Sequence, residues 1–290
     1  MERKLFEVRY YDTYYIANIV HGVASDPFSH LLDLEGLYCD DRYEDFLIPF
    51  PKYSAFHRFI GFIIDAFFHR QMTEIELEEF RSAEKRFADL SEATGDFRRL
   101  FINDAFNRHK KQHESFEEWL SEQEKTWEDA DGDDLSDYYL DLRLCGPLDE
   151  LIEEITEEVF FVMFPNRAGL QAFNEFMSCV ISRRTIEETF EEYRRFFLKD
   201  GVLKRVTIPT WAEKAVALRD RGLCNFCHRD VSGQLNIGNR NNFDHIVPLA
   251  EGGLNDVSNI QLLCDLCNLK KGQKLVAPSE FYERWYPIGE

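Results

Sequence analysis

Apolar positions along the chain recur mainly at three- and four-residue steps, the spacing of one helical face. From Tyr53 onward, Phe56, Phe59, Ile60, Ile63 and Phe67 make such a stripe and predict a helix buried along one side. Thr73-Glu74-Ile75-Glu76 reads as the start of a second helix, with Thr73 as cap and acids in the first turn. A third is expected from about Asp96 towards Glu124. Gly146-Pro147 opens the next, with Leu151, Ile152, Ile155 and Val159 on its apolar stripe and a nearly all-apolar end, Phe160 to Phe164. Pro165-Asn166 punctuates it, and helices near 167–183 and 185–198 follow, with Phe190, Tyr193 and Phe197 continuing an aromatic core.

Elsewhere the pattern is weaker. Within residues 3–50, Phe6, Val8 and Tyr10 alternate like a strand, while Tyr10, Tyr11, Tyr14 and Tyr15 fit one helical face equally well. Glu128 to Asp137 is acidic and reads as a surface loop: Gly132 falls too early for an EF-hand and no bidentate glutamate follows in register. His109 and His113 have metal-ligand spacing, but no carboxylate motif adjoins them, so a solvated face is expected. Gly201 to Pro209 is a connector, Trp211 to Arg221 a helix, and Pro278 to Tyr286 a last helix packed on the body. The fold class expected is a mainly α N-terminal domain, residues 1–205, followed by a small α+β C-terminal domain, residues 206–290.

Charge separates the same two parts. Residues 206–290 carry 9 Lys/Arg and 10 Asp/Glu, leaving 25 and 44 to residues 1–205, so nearly all of the net charge of −20 lies in the N-terminal part. An acidic body repels duplex nucleic acid. It is read as a face for a protein partner, as plain solvated surface, or as a cover that mimics nucleic acid. The 26 phenylalanines exclude a disordered chain. Phe59 to Phe68 is too short to cross a membrane and carries Asp65, and Met1-Glu2-Arg3-Lys4 begins no signal peptide. Cys39, Cys145 and Cys179 are scattered singly, which fits a reducing cytoplasm.

The other four cysteines are not scattered. Cys224-Asn225-Phe226-Cys227 and Cys264-Asp265-Leu266-Cys267 are two knuckles 36 residues apart, the spacing of a four-sulfur structural zinc site rather than of buried thiols or a redox pair. His228 follows a filled set and is read as a surface residue. Between the knuckles lies Phe243-Asp244-His245-Ile246-Val247-Pro248, then Gly252-Gly253 and Asn259-Ile260-Gln261-Leu262-Leu263, with Asn268 and Lys271 just beyond. His245 titrates near neutrality and can take a proton from water. Asp244, its strand neighbour, points to the opposite face.

These residues, with the lead-in Arg219-Asp220-Arg221-Gly222, resemble the HNH endonucleases of ββα-metal fold in their zinc-stapled subgroup, over Trp211 to Lys274. The resemblance implies catalytic residues His245, Asn259, Asp244 and Asn268. Asp244 and Asn268 would hold a catalytic Mg²⁺ or Mn²⁺, and Asn259 would hold the loop and orient His245. Asn268 stands where the family name expects a second histidine, a His-Asn-Asn variant whose amide oxygen suits a hard ion. Lys270, Lys271 and Lys274 are candidate phosphate contacts. The implied protein is a DNA endonuclease, a nickase as a monomer, of the kind found in prokaryotic anti-phage defence or mobile elements. The competing class is a zinc-stapled nucleic-acid-binding or scaffold protein with an inert Asp-His pair.

Overall fold

The computed structural model describes residues 9–38, 42–72, 77–78, 81, 100–144, 146–235, 242–272 and 274–276. Its N-terminal part is built of helices: α1 (Arg9–Ser25), α2 (Leu31–Tyr38), α3 (Ala55–Arg70), α4 (Phe101–Arg108), α5 (Phe116–Glu122), α6 (Gly132–Leu144), α7 (Pro147–Met163) and α8 (Arg167–Ile181). Two three-residue strands and a short helix then mark the C-terminal segment, confirming the expected class. Among the described residues, no helix is long and apolar enough to cross a membrane. Contacts divide the chain into two compact units, one of Met1–Ile16 with Ile60–Val159 and one of Ala17–Phe59 with Phe160–Glu290.

Four expectations need revision. The helix expected from Asp96 towards Glu124 is two helices, because Lys110 sits at φ 53° and Ser115 restarts the chain. The Ser115 hydroxyl accepts from the Glu118 N–H while the Glu118 carboxylate accepts from the Ser115 N–H, a complete capping box. His109 and His113 therefore share no helical face. The acidic stretch at 128–137 is mostly the start of α6, not a loop. Asp131 Oδ1 accepts from the Asp133 and Asp134 N–H groups, 3.0 Å each, so carboxylates satisfy the orphan donors of that first turn.

The helix expected at 185–198 shrinks to Glu191–Arg194, and Phe197–Lys199 (β1) turns back through Gly201 to pair antiparallel with Val202–Leu203 (β2). Phe190 is 56 % exposed and takes no part in the core, whereas Phe197 is buried. The ambiguous N-terminal tyrosines lie on or beside helix α1, with Tyr14 and Tyr15 on its exposed side. The start expected at Thr73, the tail helix at 278–286, and Cys39 and Cys145 lie outside the described residues; Cys179 is an exposed free thiol.

In the first unit the core is aromatic and its polar edges are tied down. Tyr138 donates to the Glu114 carbonyl at 2.6 Å, Trp119 Nε1 to Asp141 at 2.8 Å, and Asp65 holds both Tyr139 and Arg143. In the second unit, Phe56, Phe59 and Phe173 pack ring to ring, and the His57 ring stacks on Phe160 with centroids 3.6 Å apart. His57 Nδ1 accepts from the Ser54 N–H at 3.1 Å, which fixes it as a neutral imidazole.

Burial pushes the His57 imidazole down to about 4, so the folded protein resists a proton that the unfolded chain accepts at pH 6.5 and below. The stability this provides is whole above pH 6.5 and is lost as pH falls from there towards 4. Urea unfolding at pH 7.5 and pH 5 should show the wild type losing about 2 kcal/mol more than His57→Gln across that step. Equal losses in the two proteins would mean that the ring is not held neutral.

Candidate active site

The zinc-type cluster is assembled as the spacing predicts. The sulfurs of Cys224, Cys227, Cys264 and Cys267 all lie within 4.8 Å of one another, with Cys227 and Cys264 3.6 Å apart. A tetrahedral zinc with Zn–S near 2.3 Å would set its sulfurs about 3.8 Å apart, so the four residues fit that ion. The first knuckle is positioned by backbone: Asn225 N–H donates to the Leu262 carbonyl at 2.8 Å and His228 N–H to the Cys224 carbonyl at 3.0 Å. The four thiols cannot all ionise unaided. At Cys224 burial is outweighed by backbone donors and the thiol falls to about 7, while burial and the neighbouring sulfurs push Cys267 far up. A dication relieves that conflict.

Around the knuckles the C-terminal segment is a small ββα unit. Helix α9 (Thr210–Arg219) delivers the chain to it, strand β3 (Phe243–His245) pairs antiparallel with β4 (Ile260–Leu262), and α10 (Asp265–Lys271) follows. Phe243 lies opposite Leu262, Asp244 opposite Gln261 and His245 opposite Ile260. Ala212, Val216, Phe243, Val257, Ile260 and Leu262 make its apolar core with Cys224 and Cys264. Asp220, fully buried at the end of α9, joins three elements. It accepts from Arg219 Nε at 2.8 Å and the Leu262 N–H at 2.9 Å, and pairs with Arg167 of α8 at 3.3 Å.

Cys264 is the N-cap of α10, so the cluster fixes where that helix begins. Asn268 and Lys271 then lie one turn apart on one helical face. Lys271 points inward: its ammonium is 2.7 Å from Asp244 Oδ2 and donates to the His245 carbonyl at 2.8 Å. The structure thus brings Asp244, His245 and Lys271 together. Lys270 and Lys274 are exposed.

His245 is 2 % exposed, and neither ring nitrogen completes a hydrogen bond of normal geometry, although the Asn255 side chain stands close by. Burial first, then Arg205 and Lys271, push the imidazole down to about 3, so it is neutral at pH 7 with a lone pair free. Asn255 Oδ1 is likewise buried without a hydrogen bond, whereas Asp244 Oδ2 is met by the Lys271 ammonium. So many unsatisfied polar atoms in one place are rare in a finished core and suit a hydrated divalent cation.

The loop from Ile246 to Asn259 is held by side-chain amides and carboxylates. Asn259, fully buried, accepts from the Val247 N–H at 2.8 Å and donates to the Val247 and Leu254 carbonyls at 3.0 and 2.9 Å. Its amide thus grips the backbone two residues past His245, not the ring. Gly252 has φ 85°, and a Cβ there would come within 2.7 Å of the Ser178 carbonyl oxygen; one on Gly253 would collide with the Val247 carbonyl. Sequence reading passed over Asn255 and Asp256. Asp256 caps the turn Val257–Asn259 through the Ser258 N–H at 2.9 Å and reaches the Ala55 N–H at 2.8 Å, at the start of α3. The Asp256-Val257-Ser258 run carried the local cap signal; nothing local signalled Ala55.

Removing the cluster's cation, or substituting Cys264→Ser, should release α10 and with it the register of Asn268 and Lys271. A chelator strong enough to strip zinc is expected to lower the unfolding free energy of this unit by more than about 3 kcal/mol. Metal analysis beside thermal melts checks it; one equivalent of zinc lost with no change in melting would contradict it.

Residues 224–274 match the family model described as HNH endonuclease. Comparison with curated proteins and with solved structures gave no match. Residues 224–274 of this chain are an HNH endonuclease domain, built on a four-cysteine cluster.

Proposed function

We propose that this protein is a metal-dependent endonuclease that hydrolyses phosphodiester bonds in DNA, one strand per engagement. The observation carrying this reading is the buried Asp244-His245 pair, with both His245 ring nitrogens left without a hydrogen bond, inside a segment of HNH type. His245 takes the proton from water as the water oxygen bonds to phosphorus and the ester oxygen departs. Asp244, with the amide oxygen of Asn268 on the facing helix, would hold Mg²⁺ or Mn²⁺. Once bound, that ion neutralises charge on the phosphoryl group and the leaving oxygen. Asn259 keeps the loop, and so the backbone behind His245, in place. Lys271 balances the Asp244 carboxylate, and exposed Lys270 and Lys274 meet the phosphate backbone as point charges. Because His245 is covered, water and the scissile phosphate reach it only when its covering side chains move.

The acidic N-terminal part, residues 1–205, would face away from DNA and take a protein partner, an arrangement suited to a controlled nuclease of prokaryotic defence or a mobile element. A reducing cytoplasm is its natural setting. One observation favours a second reading, a zinc-stapled nucleic-acid-binding or scaffold protein: Asp244 already has a cationic partner within the chain, Lys271.

Supercoiled plasmid separates the two. The full chain with Mg²⁺ or Mn²⁺ should convert it to open circles, without metal it should not, and His245→Ala should lower the rate by about 10²-fold or more. Binding of plasmid with equal, metal-independent background in both proteins would support the second reading.

A further inference from the structure

We infer that His109, Glu154 and Glu158 form a second cation site, for a divalent first-row transition ion such as Mn²⁺ or Zn²⁺. All three lie within the unit of Met1–Ile16 and Ile60–Val159. Glu154 and Glu158 are four residues apart on α7, one above the other on a single face. His109 follows the last residue of α4 and is its C-cap. One ligand atom from each residue lies within 4.8 Å of the others, the span of a shared ion.

The histidine points to an ion rather than to a simple ion pair. Its side chain is 6 % exposed, and Nδ1 stands 3.2 Å from Glu154 Oε1. Yet that buried nitrogen makes no hydrogen bond of normal geometry. A buried ring nitrogen set beside one carboxylate without an N–H···O bond, in a cluster that a second carboxylate joins, is placed as a ligand is placed. Glu158 is itself oriented from behind, since Thr13 Oγ1 donates to its Oε2 at 3.0 Å, the supporting contact typical of a ligating carboxylate. A small pocket lined by Asp12, Thr13, Arg108, His109 and Glu158, though not by Glu154, adjoins two of the three ligands and is about large enough for one water.

Donor chemistry sets the class of ion. An imidazole nitrogen beside carboxylate oxygens suits Mn²⁺, Zn²⁺ and their neighbours, whereas Ca²⁺ and Mg²⁺ prefer oxygen throughout. The charges facing the site permit it. Lys111 Nζ is 3.6 Å from Glu154 Oε2 but 3.2 Å from Glu150, where it can stay when an ion arrives. Arg108 is engaged by Asp12 and Asp104. His109 and His113 seemed to lack a carboxylate in sequence; α7 supplies two, from about 45 residues further along the chain. An ion here would tie the end of α4 to α7.

The test uses the full zinc-loaded chain carrying Asp244→Asn, which silences the proposed catalytic ion. Mn²⁺ is added and followed by calorimetry and by thermal melting. This protein should bind Mn²⁺ and melt higher with it. Adding His109→Gln, or separately Glu158→Gln, should weaken binding at least about tenfold and abolish the shift in melting. Each comparison differs at one side chain only, so it holds whatever Asp244 does. Glu158→Gln keeps the test open should His109→Gln fold poorly, as a melt without metal will show. Unchanged affinity in both double variants, or no Mn²⁺ bound by the Asp244→Asn protein, would overturn the inference.

Discussion

Four sulfur atoms held within 4.8 Å of one another are the constraint on which the C-terminal segment depends. Strands of three residues and a helix of seven bury too little apolar surface to stand by themselves. The cluster does more than add stability. Cys264 closes the strand side and caps α10, and Cys267 lies in the first turn, so the position of Asn268 and Lys271 follows from where the sulfurs meet. Lys271 then reaches back across to Asp244 and the His245 carbonyl, and this links the helix to β3. The site's geometry is therefore a consequence of the staple.

A second set of restraints comes from far away in the chain. The loop after His245 is gripped by Asn259 from within and by outside partners. Phe50 N–H donates to the Asn255 carbonyl at 2.8 Å, and Asn255 Nδ2 to the Lys204 carbonyl at 2.9 Å. Asp256 meets Ala55, and Gly252 lies against Ser178. The three hydrogen bonds are polar contacts whose loss would leave an unpaired group, and the Gly252 approach is a steric fit, so the loop is specified by more than its own residues. A rigid loop behind the proposed base and metal ligand is what hydrolysis would require, because small errors in placement cost much of the rate.

Legibility in the sequence tracked how local each cause was. The cysteine knuckles and the stripes on α3 and α7 follow from spacing alone and are found, as is the Asp244-His245 strand that the family resemblance implies. The break at Lys110 and the early start of α6 turned on caps at Ser115 and Asp131, which compete with hydrophobic periodicity over a few residues and can defeat it. Phe190 is apolar by type yet exposed, since the chain reverses at Gly201 and forms a hairpin where a helix was expected. The inward turn of Lys271 and the reach of Asp256 to Ala55 had no local signature, because both depend on elements brought together only by folding.

On the proposed mechanism, Asp244 and Asn268 hold a catalytic cation in this domain. A crystal of the zinc-bound chain soaked in Mn²⁺, measured for anomalous scattering, addresses it most directly. The expected result is a manganese peak bounded by the Asp244 carboxylate and the Asn268 amide oxygen, with the Lys271 ammonium withdrawn from Asp244. No peak there, with Lys271 still paired to Asp244 at a Mn²⁺ concentration that supports cleavage, would contradict it.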